Sequence, residues 1–226
     1  MNLDFDSFVL AASTVDLTDE PAARPHADAI EYRMDVAERP LSALEGYDGE
    51  LPILATNRAS WEGGEYEGSD EKRLAQLAEA TALEAVCAID IELESLRAGD
   101  ADELVESARE RDVSIVASAH DFEGMPDEIE LLETLSEACE YADVGKFAAT
   151  AESREDTLAL LAVTHRLSTD GKRVATMAMG ESGSHTRAVA PVYGSKIGYA
   201  PVDIAEATAP GQYDLETLAG LVDTLE

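Results

Sequence analysis

The sequence predicts a single-domain α/β fold over residues 1–226, a (β/α)8 or TIM barrel. Three observations point to it. Eight short apolar runs recur along the chain, helical patterns separate most of them, and the charged residues that interrupt the runs collect at their C-terminal ends. Strand–helix alternation repeated about eight times is the pattern of a parallel barrel with helices outside, and such barrels build their sites at the C-terminal ends of strands. A chain of 226 residues, 45% of them apolar, can bury one core of this size. No linker, low-complexity tract or internal repeat divides it. A doubly wound open sheet is the alternative arrangement of the same alternation.

In order, strands are expected at 8–13, 29–34, 51–57, 85–93, 113–119, 141–148, 174–179 and 196–200. Between them, residues 70–82, 100–111, 127–139, 153–168 and 214–225 carry apolar side chains at helical spacing. Asp70, Asp100, Asp127, Ser153 and Asp214 stand where N-caps belong. The first two crossovers, around 21–27 and 40–46, contain prolines and leave room only for short helices.

Charge excludes whole classes of partner. Forty-eight acidic against sixteen basic residues give a formal charge of -32, so a nucleic-acid backbone or an anionic membrane surface would be repelled. The acids are spread along helical faces, the pattern of a solvated surface adapted to high salt. Cys87 and Cys139 show neither a paired motif nor metal-ligand spacing and are expected as buried free thiols. The N-terminus has no basic region, and no apolar stretch reaches the ~18 residues of a membrane span, which predicts a cytoplasmic protein.

Lys146 is the most informative residue. The other lysines, Lys72, Lys172 and Lys196, lie in polar stretches or beside a turn, whereas Lys146 falls on an apolar strand. An amine taken out of water is driven towards its neutral, nucleophilic form, unless a carboxylate pairs with it. Glu31, Arg33 and Asp35 alternate on the second strand and can face one interior, as a site or as an internal ion-pair network. Asp90 and Glu92 alternate likewise on the fourth and favour a structural role. His120 ends the fifth strand, and imidazole can both give and take a proton near neutrality. Glu62, on the loop after the third strand, is its candidate orienting partner. Ser13, Arg58, Arg187, Thr208 and Gln212 also lie at or beyond strand ends, whereas His26, His165 and His185 have weaker claims.

These segments together resemble the type I 3-dehydroquinate dehydratases. The resemblance rests on Glu31-Tyr-Arg-Met-Asp35, Thr56-Asn-Arg58 with Glu62-Gly-Gly64, Ser118-Ala-His-Asp-Phe122 and Lys146 after Val-Gly. Met177-Ala-Met-Gly180, Arg187, Val192-Tyr-Gly-Ser195 and Ala209-Pro-Gly-Gln212 complete a series that spans nearly the whole chain. It implies dehydration of 3-dehydroquinate to 3-dehydroshikimate in the shikimate pathway, without metal or cofactor, in a protein that can be a homodimer. By the same resemblance Lys146 forms a Schiff base with the ketone, His120 is general acid and base, and Glu62 orients and polarises it. Arg187 would hold the substrate carboxylate, while Glu31, Arg33, Arg58, Thr208 and Gln212 bind hydroxyls and ring, with Ser13 a further binding residue.

Two departures accompany the resemblance. Thr208 stands where the family commonly has serine, which keeps the hydroxyl. The loop from Gly194 to Thr208 is longer than in bacterial relatives, with Tyr199 expected as an aromatic lid residue. Two other readings stay open on the residues alone. A class I aldolase would need a phosphate cradle, for which Gly180 to Ser184 is the candidate. A non-catalytic barrel could hold a small carboxylate through Arg58 and Arg187.

Overall fold

The computed structural model describes residues 3–207 and 211–225. Eight parallel strands form one sheet: β1 (Val9–Thr14), β2 (Ala29–Arg33), β3 (Ile53–Thr56), β4 (Val86–Glu92), β5 (Ser114–Asp121), β6 (Val144–Thr150), β7 (Val174–Met179) and β8 (Ile197–Pro201). From β1 to β7 each strand pairs with the next in sequence, and β8 returns to pair with β1 in the register Val9↔Ile197 to Ser13↔Pro201. That return distinguishes a barrel from the doubly wound sheet.

Closure at the β7–β8 seam is thinner than elsewhere. It consists of a bridge between Val174 and Ser195, with the Lys196 N–H donating to the Val174 carbonyl at 2.7 Å. Further along β7 the acceptors are hydroxyls. Thr176 N–H donates to Ser195 Oγ and Ala178 N–H to Thr186 Oγ1, each at 3.0 Å.

Alternation explains why one strand can hold both core and site. Val9, Ala11, Ala29, Leu54, Ala88, Val116, Val144, Ala175 and Ile197 share a buried cluster inside the barrel. Two residues further along their strands the same parity turns Ser13, Glu31, Thr56, Asp90, Ser118, Lys146 and Tyr199 inward. The opposite parity, with Ile30, Ile53, Ile89 and Ile115, packs outward under the helices against Leu74, Leu77 and Leu104.

The crossovers are α1 (Glu20–Ala23), α2 (Pro40–Glu45), α3 (Asp70–Ala80), α4 (Leu93–Ala98), α5 (Asp102–Glu110), α6 (Glu128–Tyr141), α7 (Arg154–Thr169), α8 (Thr186–Val189) and α9 (Leu215–Leu225). The first two are short, as their prolines require. Asp127 caps α6, Ser153 caps α7 in a reciprocal capping box with Asp156, and Asp214 accepts the Thr217 N–H at the start of α9. Two expected caps are corrected. Ser69, not Asp70, caps α3, which frees the Asp70 carboxylate for Trp61 and Arg73. Asp100 caps nothing, because α4 fills the turn after β4 and α5 begins behind Ala101. Neither α4 nor α8 was foreseen.

Gly145 has a steric reason. A Cβ there would sit 2.8 Å from Cys139 Sγ and 3.0 Å from the Leu135 carbonyl, so only glycine lets α6 lie this close behind the strand carrying Lys146. Both cysteines are free and half-buried, not fully buried as expected. Tyr199 is also corrected: it is an interior residue of β8, 5% exposed, and not part of a lid. No helix among the described residues is long and apolar enough to cross a membrane.

Candidate active site

The C-terminal ends of the strands surround a cavity of about 470 Å³, whose walls include Ser13, Glu31, Arg33, Arg58, His120, Lys146, Arg187, Tyr199 and Gln212. Of the residues singled out in the sequence, Glu62 stands just behind this wall on the loop after β3. Thr208 lies outside the described residues.

Lys146 is 2% exposed on β6, and its Nζ donates to Asp90 Oδ2 at 2.7 Å. The carboxylate partner left open by the sequence is therefore present. The other Asp90 oxygen accepts from Ser118 Oγ at 2.5 Å, and the ammonium nitrogen lies 4.5 Å from the centroid of the Tyr199 ring. Burial opposes the Asp90 charge, but Lys146, Arg58 and the Ser118 hydroxyl outweigh it and hold the carboxyl below its ordinary value. Tyr199 is kept a neutral phenol, pushed well above the usual range by burial and by Glu31 and Asp90.

On the neighbouring strand β5, His120 Nδ1 lies 2.7 Å from Glu62 Oε2. Burial, then the cations of Arg58, Lys146 and Arg33, press the imidazole well below its ordinary value, so it rests neutral. Burial, then the charges of Glu92 and Asp90, push the Glu62 carboxyl up to about 8. Both members are thus driven towards their uncharged forms, and a ring that carries its proton on Nδ1, facing Glu62, leaves Nε2 free to accept one. Gly63 supports this placement. Its φ of +76° suits glycine, and an added Cβ would lie 2.6 Å from the ring of Phe122, which stacks on His120 at 6.0 Å.

The remaining charges divide into paired and unpaired. Arg33 is forked onto Asp35 at 2.9 and 2.7 Å, and Asp35 also accepts the Glu65 N–H. Glu31 accepts from Ser13 Oγ and, at 3.2 Å, from Thr56 Oγ1. The buried Nε atoms of Arg58 and Arg187 have no hydrogen-bond partner among the described residues. Arg187 is 5% exposed, and burial draws its guanidinium down to about 10. A buried cation lacking a counter-ion is a receptor for an anion.

Reasoning from sequence missed the contact of Asp90 with the amine and the ring of Tyr199 beneath it. Alternation had turned Asp90 inward, but Lys146 lies two strands away, and only the barrel's curvature joins them.

A family profile for type I 3-dehydroquinase matches residues 9–226. The 3-dehydroquinate dehydratase of Haloarcula marismortui is 54% identical over 227 residues, which cover 99% of this chain and 99% of that one. The crystal structure of 3-dehydroquinate dehydratase from Geobacillus kaustophilus HTA426 superposes with a TM-score of 0.88 at 28% identity, covering 97% of this chain and 91% of that one. The type I enzyme of Clostridium difficile, solved with covalent modified comenic acid, gives a TM-score of 0.83 at 25% identity, over 97% of this chain and 92% of that one.

Proposed function

The chain belongs to the type I 3-dehydroquinase family, and we propose that it dehydrates 3-dehydroquinate to 3-dehydroshikimate through an imine on Lys146. The observation that carries the mechanism is the meeting, in one cavity, of a buried amine, a histidine–carboxyl pair and two arginines with unpartnered Nε atoms.

The amine must shed a proton before it attacks the ketone carbon, and Asp90 is the acceptor in contact with it. Loss of water from the adduct gives an iminium, which draws electrons from the neighbouring C–H bond. His120 takes that proton, leaving an enamine. The enamine pushes out the β-hydroxyl, which leaves as water with a proton returned by His120. Hydrolysis of the conjugated iminium then frees the product and restores the amine. Asp90 and the Tyr199 ring flank the nitrogen while it is positive. Glu62 orients the ring of His120 through Nδ1, and the proton taken on Nε2 stays there until it leaves with the hydroxyl.

Arg187 takes the substrate carboxylate, which explains its burial without a counter-ion among the described residues. Glu31, Arg33, Arg58 and Gln212, with Ser13 beside Glu31, contact hydroxyls and ring, and Thr208 joins them by the resemblance of its segment. Family membership displaces the aldolase reading. The remaining rival is a barrel that binds a carboxylate without acting on it.

Borohydride reduction in the presence of 3-dehydroquinate separates the two. The expected result is a mass gain on the peptide carrying Lys146, together with the absorbance of the conjugated product in the unreduced reaction. A flat trace from folded protein at high salt, or label on another lysine, would overturn the proposal.

A further inference from the structure

Among the described residues Arg73 is the largest side chain that is fully buried, at 0% exposed, and it does not line the cavity. It lies on α3, where an arginine in an amphipathic helix ordinarily faces water. Burying a guanidinium is costly unless every donor is used, and where these donors go is informative. Nη1 donates to the Asn57 carbonyl at 2.8 Å and to Glu92 Oε2 at 2.7 Å. The other oxygen of Glu92 accepts the Ala59 N–H at 2.7 Å. Nε donates to Asp70 Oδ1 at 2.8 Å, and Asp70 Oδ2 accepts the indole N–H of Trp61 at 3.0 Å.

One cation therefore holds residues 57, 59 and 61 of the β3–α3 loop, directly or through a single carboxylate. Arg58 lies between the first two of these positions, and Glu62 follows the third. We propose that Arg73, with Glu92 as its relay, is a positioning residue that sets Arg58 and Glu62 against the cavity for the reaction proposed above. A pair serving only to dock α3 on the barrel would have no need of the loop backbone. Nη2 also reaches Ser95 Oγ on α4 at 3.4 Å, but the loop receives one contact from Arg73 itself and two through its carboxylate partners, and it carries two of the site residues.

The inference rests on the proposed function for its kinetic part, but its structural part can be read without substrate. Trp61 is the only tryptophan in the chain and sits in the loop, so its fluorescence reports on the loop alone. The double variant Arg73→Met with Glu92→Leu replaces the buried ion pair by apolar side chains of similar size, a change that is often neutral in stability. We expect acrylamide to quench Trp61 more strongly than in wild type. With 3-dehydroquinate, kcat should fall and KM rise, kcat/KM dropping by about 10²-fold. Borohydride trapping on Lys146 at saturating substrate should persist, because Asp90 and Ser118, not the loop, hold the amine.

Unchanged quenching and unchanged kcat and KM beside a lowered melting temperature would overturn the positioning role. Should the double variant fail to fold, Ala59→Pro deletes the N–H given to Glu92 at a position whose φ of -65° already suits proline, and the same outcomes decide. A wild-type protein that neither traps nor dehydrates 3-dehydroquinate would sink the function, while the Trp61 comparison would still judge the clamp.

Discussion

Lys146, His120 and Glu62 divide the proposed work so that no single group must be both nucleophile and proton carrier. Substituting His120→Ala is expected to lower kcat by about 10²- to 10⁴-fold while leaving trapping on Lys146. Steady-state rates beside borohydride trapping check it, and a near wild-type kcat would return His120 to a structural role. Glu62→Gln should cost less activity and makes a sharper test of charge. In the folded protein Glu62 holds its proton up to about 8, whereas in the unfolded chain it releases it near 4.5. Folding therefore weakens as pH rises from about 4.5 through about 8, because the native state binds the extra proton over that window. His120 contributes the opposite trend below 6.5, where the unfolded chain takes up a proton that the folded one refuses, and it does so in both proteins. The variant should thus gain on wild type in melting temperature as pH rises through the window, and the difference should level off above it. A difference independent of pH would show that Glu62 is already ionised.

At the scale of elements, α7 is the helix whose start is best secured. Ser153 Oγ accepts the Asp156 N–H, and Asp156 Oδ2 accepts the N–H groups of Ser153 and Glu152. Ser153→Ala should lose about 1 kcal/mol of stability, read as a lowered denaturation midpoint at fixed salt with kcat unchanged. The same scale shows why much of the fold was legible. The strands announce themselves by apolar runs buried on both faces, and α6 and α7 by their caps and periodicity. Helices α4 and α8, of six and four residues, are too short to display a period. Asp100 read as a cap because α4 was invisible. Arg73 was overlooked because burial reverses the usual meaning of arginine on an amphipathic helix, and nothing local to residues 70–80 reveals Glu92 on a neighbouring strand. The placement of Lys146, His120 and Arg58 at the cavity was legible because each breaks an apolar pattern within or just beyond a strand, whereas Arg187 reaches it from α8. Pairing across the barrel was not, since it depends on curvature.

For the whole molecule, the acid excess governs behaviour. Cations are already shared: Arg97 bridges Glu94 and Glu137, and Arg24 bridges Glu20 and Glu50. The formal charge of -32 is left for solvent ions to screen. At about 0.01 M salt the Debye length is ~30 Å and carboxylates repel across the fold, whereas near 1 M it is ~3 Å. Melting temperature should therefore climb through a salt series up to the order of molar. A midpoint that stays constant or falls would remove salt adaptation and leave the catalytic proposal untouched. The seam between β7 and β8 carries a different consequence. Side-chain hydroxyls rotate without moving the chain, so the amides that Ser195 and Thr186 satisfy on β7 can be released by small excursions. In deuterium the N–H groups of Thr176 and Ala178 should exchange ahead of other strand amides. Those of β1, laddered to β2 and β8 on its two sides, should wait for global unfolding. The ring that surrounds the site is then expected to open at one known place.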